Sequence, residues 1–288
     1  MVYRQFLRSW FHNAARQKAR EKLSEVAREQ VQAAAENASD AAGEPDEPRL
    51  GLIFALRIES GGLEDLLDGT ATTRGHGFLV VQGRLAERRL ALVVAGAGRE
   101  AAARATEALI DGHQPQWVLS AGFAGGLNPD LKRNDVLMVD RVSDTAGNEL
   151  AIDLKVDPAT LARTPGVHVG RLLTADRVVR LPDEKRALGG QYDALAVDME
   201  TFAVAEVCRR RQVRFLAVRV VNDAVDETLP HDVEYLLSQT TRAARLGAAA
   251  GALWRRPSSF KDMFRLKENA LLASERLAKF LAGMIEQL

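Results

Sequence analysis

One cysteine in 288 residues, Cys208, leaves the chain without an internal disulfide or a cysteine zinc cluster, as expected in a reducing compartment. Its apolar neighbours Ala205 and Val207 suggest an inert helix residue. An excess of either charge is also lacking. The 39 basic residues balance 39 acidic ones, so no overall field draws the chain to nucleic acid or to a polyanionic substrate. No apolar run is long enough to span a membrane. The first residues lack the compact apolar core and small-residue cleavage site of a secretory signal, and the sequence reads as cytoplasmic. No metal and no cofactor is expected.

The first residues instead carry a stripe: Tyr3, Phe6, Leu7, Trp10, Phe11 and Ala14 share one helical face, with Arg4, Arg8, Arg16, Lys18, Arg20 and Lys22 supplying charge. Such a helix suits an anionic membrane surface, peripheral to the inner face of the membrane, and suits equally well docking on its own domain or on a second subunit. Residues 30–48 are rich in Ala, Glu and Asp, with Gly43, Pro45 and Pro48 near their end, and read as a linker. The expected organisation is an arm and linker over 1–48, a catalytic domain over 49–256, and a C-terminal helix over 257–288 packing on the core.

Within the domain, short apolar runs at 50–56, 78–81, 90–95, 117–119, 136–139, 168–173, 194–199 and 215–221 alternate with helical patterns at 100–110 and 202–211. This predicts an α/β fold, a three-layer mixed sheet flanked by helices, with helical N- and C-terminal extensions. The closing stretch repeats Leu266, Leu271, Leu272, Leu277, Phe280, Leu281 and Ile285 as an amphipathic helix.

Five stretches carry candidate chemistry. Ser120-Ala-Gly-Phe-Ala-Gly-Gly-Leu127 follows a strand, and its glycines predict a sharp turn presenting backbone N–H groups; it has neither the GxGxxG spacing nor a following Gly-Lys-Ser/Thr. At the Asp198-Met199-Glu200 end of another strand, a carboxylate can accept hydrogen bonds from ribose hydroxyls and a methionine can offer an apolar surface. The same Glu200 also suits a helix N-terminus. Asn222-Asp223 ends a third strand, where ligands of such sheets gather and an acid can protonate a purine N7; an aspartate there also suits a helix cap. Arg57 and Glu59 follow the first strand, Glu59 being either a base that activates water or a solvated turn residue. Ala95-Gly-Ala-Gly98 ends a further strand before a helix and can lie under the attacking group.

In this order the stretches resemble the superfamily of purine and uridine phosphorylases and methylthioadenosine/S-adenosylhomocysteine nucleosidases, over residues 50–237. The phrases 120–127, 196–205 and 223–230 look closest to its hopanoid-associated phosphorylase-like branch, thought to remove adenine from adenosylhopane. The resemblance implies a nucleoside phosphorylase-like fold, a purine nucleoside as substrate, and a homo-oligomer. By position it implies Glu59 on the attacking water, Asp223 at purine N7, Met199 and Glu200 on the ribose, Arg219 near the nucleophile and Asn222 beside the base. Ala124, Gly125 and Gly98 fall in the binding segments, and Asp176 and Val178 in the segment that supplies the base-stacking wall.

Two departures bear on chemistry. Phe123 stands where the family usually carries a small hydroxyl residue, which weakens the case for phosphate; Val178 or Val179 stands where it carries an aromatic ring. The greasier pocket suits an apolar 5′ substituent, such as that of a lipid-linked nucleoside. Glu59, in place of an arginine at the nucleophile end, favours hydrolysis. Phosphorolysis of the nucleoside by inorganic phosphate, with Arg57 and Arg219 as cations, and an inactive nucleoside- or lipid-binding relative are the alternatives.

Overall fold

The computed structural model describes residues 50–75, 77–154, 164–230 and 259–286. Contacts separate Met1–Glu47 from Pro48–Leu288, and everything below concerns the second unit. The arm and linker expected over 1–48, and residues 231–256 of the expected catalytic domain, lie outside the described residues.

The first strand, β1 (Leu50–Phe54), is buried at every position. It lies in parallel between β4 (Arg88–Val94) and β5 (Trp117–Gly126). Its side chains alternate between two cores, as the two-residue period of a strand requires. Leu52 and Phe54 join one cluster, with Leu92 and Leu119. Ile53 joins the other, with Val93 and Val118. The first core is covered by α1 (Arg57–Glu64) through Leu63 and by the closing helix α5 (Ser259–Ile285) through Ala273, Leu277, Ala278, Leu281 and Ile285. The second is covered by α2 (Arg99–His113) and α4 (Thr201–Arg211), whose small residues Ala102, Ala105, Val204 and Cys208 pack against the strands. A sheet covered on both faces needs apolar side chains on both, which is why β1 reads as a continuous apolar run. Burial pushes the Cys208 thiol up to about 12, so it is unreactive.

Beyond β1 the strands β2 (Asp68–Gly75), β3 (Phe78–Leu85) and β4 form an antiparallel meander. On the other side, β5, β10 (Arg214–Asp223), β6 (Val136–Asp144), β8 (Val167–Thr174) and β9 (Ala196–Asp198) pair in turn, and β9 returns to β5. These five strands therefore close into a ring, with β7 (Glu149–Ala151) an edge strand on β6. The mixed sheet flanked by helices is as expected, but the closure is not announced by apolar pattern alone.

Three expectations need correction. The glycine-rich block is not a turn: β5 continues to Gly126, and its pairing with β10 runs from Trp117 opposite Arg214 to Gly125 opposite Asp223. In α5, Leu271 and Leu272 are about half exposed, because Ala273, Leu277 and Ala278 form the inward stripe. Between β8 and β9 stands an unexpected helix, α3 (Pro182–Tyr192), whose apolar periodicity is too weak to read; the one residue it buries fully is a lysine, Lys185.

Helix α3 is seated by a close backbone approach. A Cβ on Gly189 would lie 2.7 Å from the Leu127 carbonyl oxygen, whereas one on Gly190 would meet nothing within 4 Å. Gly189→Ala is therefore expected to destabilise the protein by about 1–3 kcal/mol through overpacking against main chain that cannot rotate away. Gly190→Ala should stabilise it by about 0.5–1 kcal/mol through helix propensity. Denaturant midpoints of the two variants check the contrast, and equal effects of one sign would contradict it.

Candidate active site

The carboxyl ends of β1, β5, β9 and β10 converge on a cavity of about 570 Å³, as open α/β sheets place their ligand sites. Its walls are largely apolar, from Leu56, Ile58, Phe123, Val178, Val179 and Leu229, while α5 contributes Lys267 and Ala270. Among the described residues, four buried carboxylates border it: Glu59, Glu200 and Asp223, and Asp198, which pairs with Arg219.

Glu59 occupies the third position of α1, where its Oε2 accepts the Leu56 N–H at 2.7 Å and caps the helix start. Its Oε1 accepts the Phe123 N–H from β5 at 2.9 Å. The approach depends on Gly122, because a Cβ there would lie 2.8 Å from Oε1. Burial raises the Glu59 carboxyl above the usual range, against the pull of the Phe123 and Leu56 N–H groups and of Arg219. It is no solvated turn residue.

Glu200 precedes the first residue of α4. Its Oε1 accepts the Gly98 N–H at 2.7 Å and its Oε2 the Met199 N–H at 3.2 Å. Gly98, at φ 96°, makes this possible in a conformation that L side chains rarely adopt. Burial first, then the nearby Asp198, pushes Glu200 up to about 8.

Beneath these groups a polar network is fully enclosed. Arg219 reaches Asp198 Oδ2 through Nε at 3.1 Å and Nη2 at 2.8 Å, and donates to Ser120 Oγ at 2.8 Å and Thr201 Oγ1 at 2.6 Å. Asp198 also accepts from Thr174 Oγ1 at 2.7 Å and from the Thr201 N–H at 2.9 Å. Arg219, expected near the nucleophile, therefore does not line the cavity. A buried carboxylate at the end of β9, on the far side of β5 from β10, has captured it, and Arg219 holds Asp198 at the cavity wall. Asp198, Ser120 and Thr201 take part in this network; Asp198 and Ser120 fall in stretches marked in the sequence, but neither is expected there as a partner of Arg219.

Asp223 ends β10 beside Gly125, where a Cβ would come within 3.2 Å of Oδ2. Lys185 Nζ donates to that oxygen at 2.6 Å. Burial raises the carboxyl and Lys185 opposes it. The segment after it is clamped by cations: Arg133 binds the Asn222 carbonyl and Glu227, and Arg180 donates to the Leu229 carbonyl at 2.9 Å. Lys185, Arg133 and Arg180 left no signal in the sequence, since each reads as a surface charge.

Of the other expected residues, Met199, Asn222, Phe123, Ala124, Gly125 and Val178 line the cavity, as do Val179 and Arg57. Gly98 does not; it acts through Glu200. Asp176 faces away and pairs with Arg99 at 3.4 Å.

Known proteins share this chain's fold and family. A 5′-methylthioadenosine/S-adenosylhomocysteine nucleosidase of Tolumonas auensis is 26% identical over 213 residues, covering 66% of this chain and 92% of its own length. The nucleosidase of that name from Neisseria meningitidis, solved in complex with methylthio-immucillin-A, superposes with a TM-score of 0.64 at 23% identity over 83% of this chain and 99% of its own. Futalosine hydrolase of Helicobacter pylori superposes with a TM-score of 0.63 at 19% identity over 84% of this chain and 98% of its own. The pattern of the Phosphorylase superfamily matches residues 49–253, most of the sequence, and the chain belongs to that family.

Proposed function

We propose that this protein hydrolyses the N-glycosidic bond of a purine nucleoside of the adenosine type. The observation that carries the reading is that Glu59, Glu200 and Asp223, three of the four buried carboxylates lining one largely apolar cavity, are each held by different partners and so suited to a different task, while the fourth, Asp198, is paired with Arg219. Water attacks C1′ of the sugar and gives a proton to Glu59, the C1′–N9 bond breaks, and the proton carried by Asp223 passes to N7. Adenine leaves neutral and the sugar leaves as the free ribose derivative. Met199 and Glu200 hold the ribose, Val178 and Val179 flank the base, and Asn222 stands beside it. Curated relatives that act on methylthioadenosine and S-adenosylhomocysteine support the adenosine class.

Water is favoured over phosphate by three features. Glu59 would repel a phosphate dianion at the nucleophile position, Phe123 presents a phenyl ring, and Arg219 is committed to Asp198. A lipid-linked substrate such as adenosylhopane is a second reading, favoured by the apolar wall of Leu56, Ile58, Phe123 and Leu229, which suits a hydrophobic 5′ substituent.

The test is to incubate the protein with adenosine, methylthioadenosine and an adenosyl lipid, with and without phosphate, and to identify the sugar product. Free ribose derivative is expected in every case; a sugar 1-phosphate would contradict hydrolysis. Asp223→Asn should slow turnover by about 10²–10⁴-fold, the usual worth of a general acid. A variant at the parental rate would remove Asp223 from the role.

Glu200 yields a separate expectation. Burial and the nearby Asp198 raise its carboxyl, so in the free protein it holds its proton to higher pH than an ordinary carboxyl. Ribose hydroxyls donating to it favour the anion, lower its pKa and release a proton on binding. Calorimetry in buffers of different ionisation enthalpy should detect that release for a non-hydrolysable ribonucleoside analogue and a smaller one for its 2′-deoxy counterpart. Equal release from the two would contradict the assignment.

A further inference from the structure

The first turn of α3 sends a lysine into the protein interior. Lys185 is fully buried. An ammonium group has three protons, and this one has three acceptors: Asp223 Oδ2 at 2.6 Å, the Ala224 carbonyl at 2.8 Å and the Glu227 carbonyl at 2.8 Å. Its anchorage is rigid, because Gly189 of the same helix sits against the Leu127 carbonyl at the end of β5. Lys185 thus ties α3 to the segment 223–227 at the point where Asp223 meets the cavity.

The contacts of the two carboxylate oxygens differ. Oδ2 is turned toward Gly125 and the ammonium group, whereas Oδ1 accepts no hydrogen bond among the described residues. We propose that Lys185 is a positioning residue for the acid: it grips Asp223 by one oxygen, leaves the other to carry the proton to the leaving base, and sets the pH range over which that proton is held. The proposal rests on the nucleosidase reading above.

The physical reason lies in opposed demands. A buried carboxyl in apolar surroundings holds its proton tightly, and a proton held too tightly is a poor one to transfer. An ammonium at hydrogen-bond distance favours the anion that remains after transfer. Other charges near Asp223 are Arg133, from the segment before β6, and Glu227 of its own segment. β5 offers only main chain at Gly125, β9 brings Asp198 and then Glu200 to the same cavity, and Glu59, Arg57, Arg177 and Lys267 line it from α1, the segment before α3, and α5. Among the described residues, only Lys185 places a charge in direct contact with the carboxylate.

The test uses the full chain with methylthioadenosine, and with a 4-nitrophenyl riboside whose leaving group needs no proton. Lys185→Met removes the cation, so Asp223 should keep its proton to higher pH. The alkaline limb of kcat/KM should move up by about one pH unit or more. Turnover of the purine nucleoside should fall by about 10–10²-fold while the nitrophenyl riboside is nearly spared. The double variant Lys185→Met with Asp223→Asn removes both charges, so no unpaired ion is buried and folding is retained even where the single variant fails. It should be no slower than Asp223→Asn alone, as groups that act as a unit are not additive. An unmoved alkaline limb with equal loss on both substrates, or a double variant tenfold slower than Asp223→Asn, would overturn the proposal and leave Lys185 a structural brace. Asp223→Asn at the parental rate would instead overturn the acid assignment, and with it this role; absence of turnover by the parent protein would overturn both.

Discussion

Burying Glu59, Glu200 and Asp223, with Asp198 close by, around one largely apolar cavity is the constraint on which the rest of the structure depends. An ion taken out of water must be paired, hydrogen-bonded or neutralised, and removing the partner of a buried ion typically costs about 3–5 kcal/mol. The protein meets the demand in a different way for each group. Glu59 relies on backbone N–H groups from α1 and β5, Asp223 has an ammonium ion, and Glu200 has two backbone N–H groups with a second acid, Asp198, close by. Asp198 takes the guanidinium of Arg219 for itself. Glu200, with the least compensation and an acidic neighbour, is the group pushed up to about 8.

The backbone is shaped to the same end. Gly122 and Gly125 lie on a continuous strand, three residues or roughly 10 Å of extended chain apart, and each leaves space that a side chain would close against a carboxylate. One strand thereby admits Glu59 from a helix and Asp223 from its parallel neighbour β10. The ring of five strands brings β9 back to β5 at Gly125 and Gly126, which sets Met199 and Glu200 beside the same wall.

These features differ in how far the sequence reveals them. Glu59, Glu200 and Asp223 stand out because each follows an apolar run, and the ends of such runs in an alternating α/β pattern are where ligands collect. The glycines are visible but read as a turn, since in one dimension a glycine that bends the chain looks like one that makes room. Arg219 was visible too, but its partner Asp198 lies 21 positions away and the pairing exists only in three dimensions. Lys185 was invisible: Asp183-Glu184-Lys185-Arg186 reads as an exposed charged turn, and nothing local tells that one of the four points inward.

The central claim is that the three carboxylates divide the work of one reaction between water, sugar and base. A crystal structure of the protein with methylthio-immucillin-A, the ligand of the Neisseria meningitidis nucleosidase, tests it most directly. The account expects Asp223 Oδ1 within hydrogen-bond distance of the base N7, Glu200 on the sugar hydroxyls, and a water held by Glu59 facing the sugar. A ligand seated in the cavity with its base away from Asp223, or with Glu59 in contact with neither water nor ligand, would contradict it.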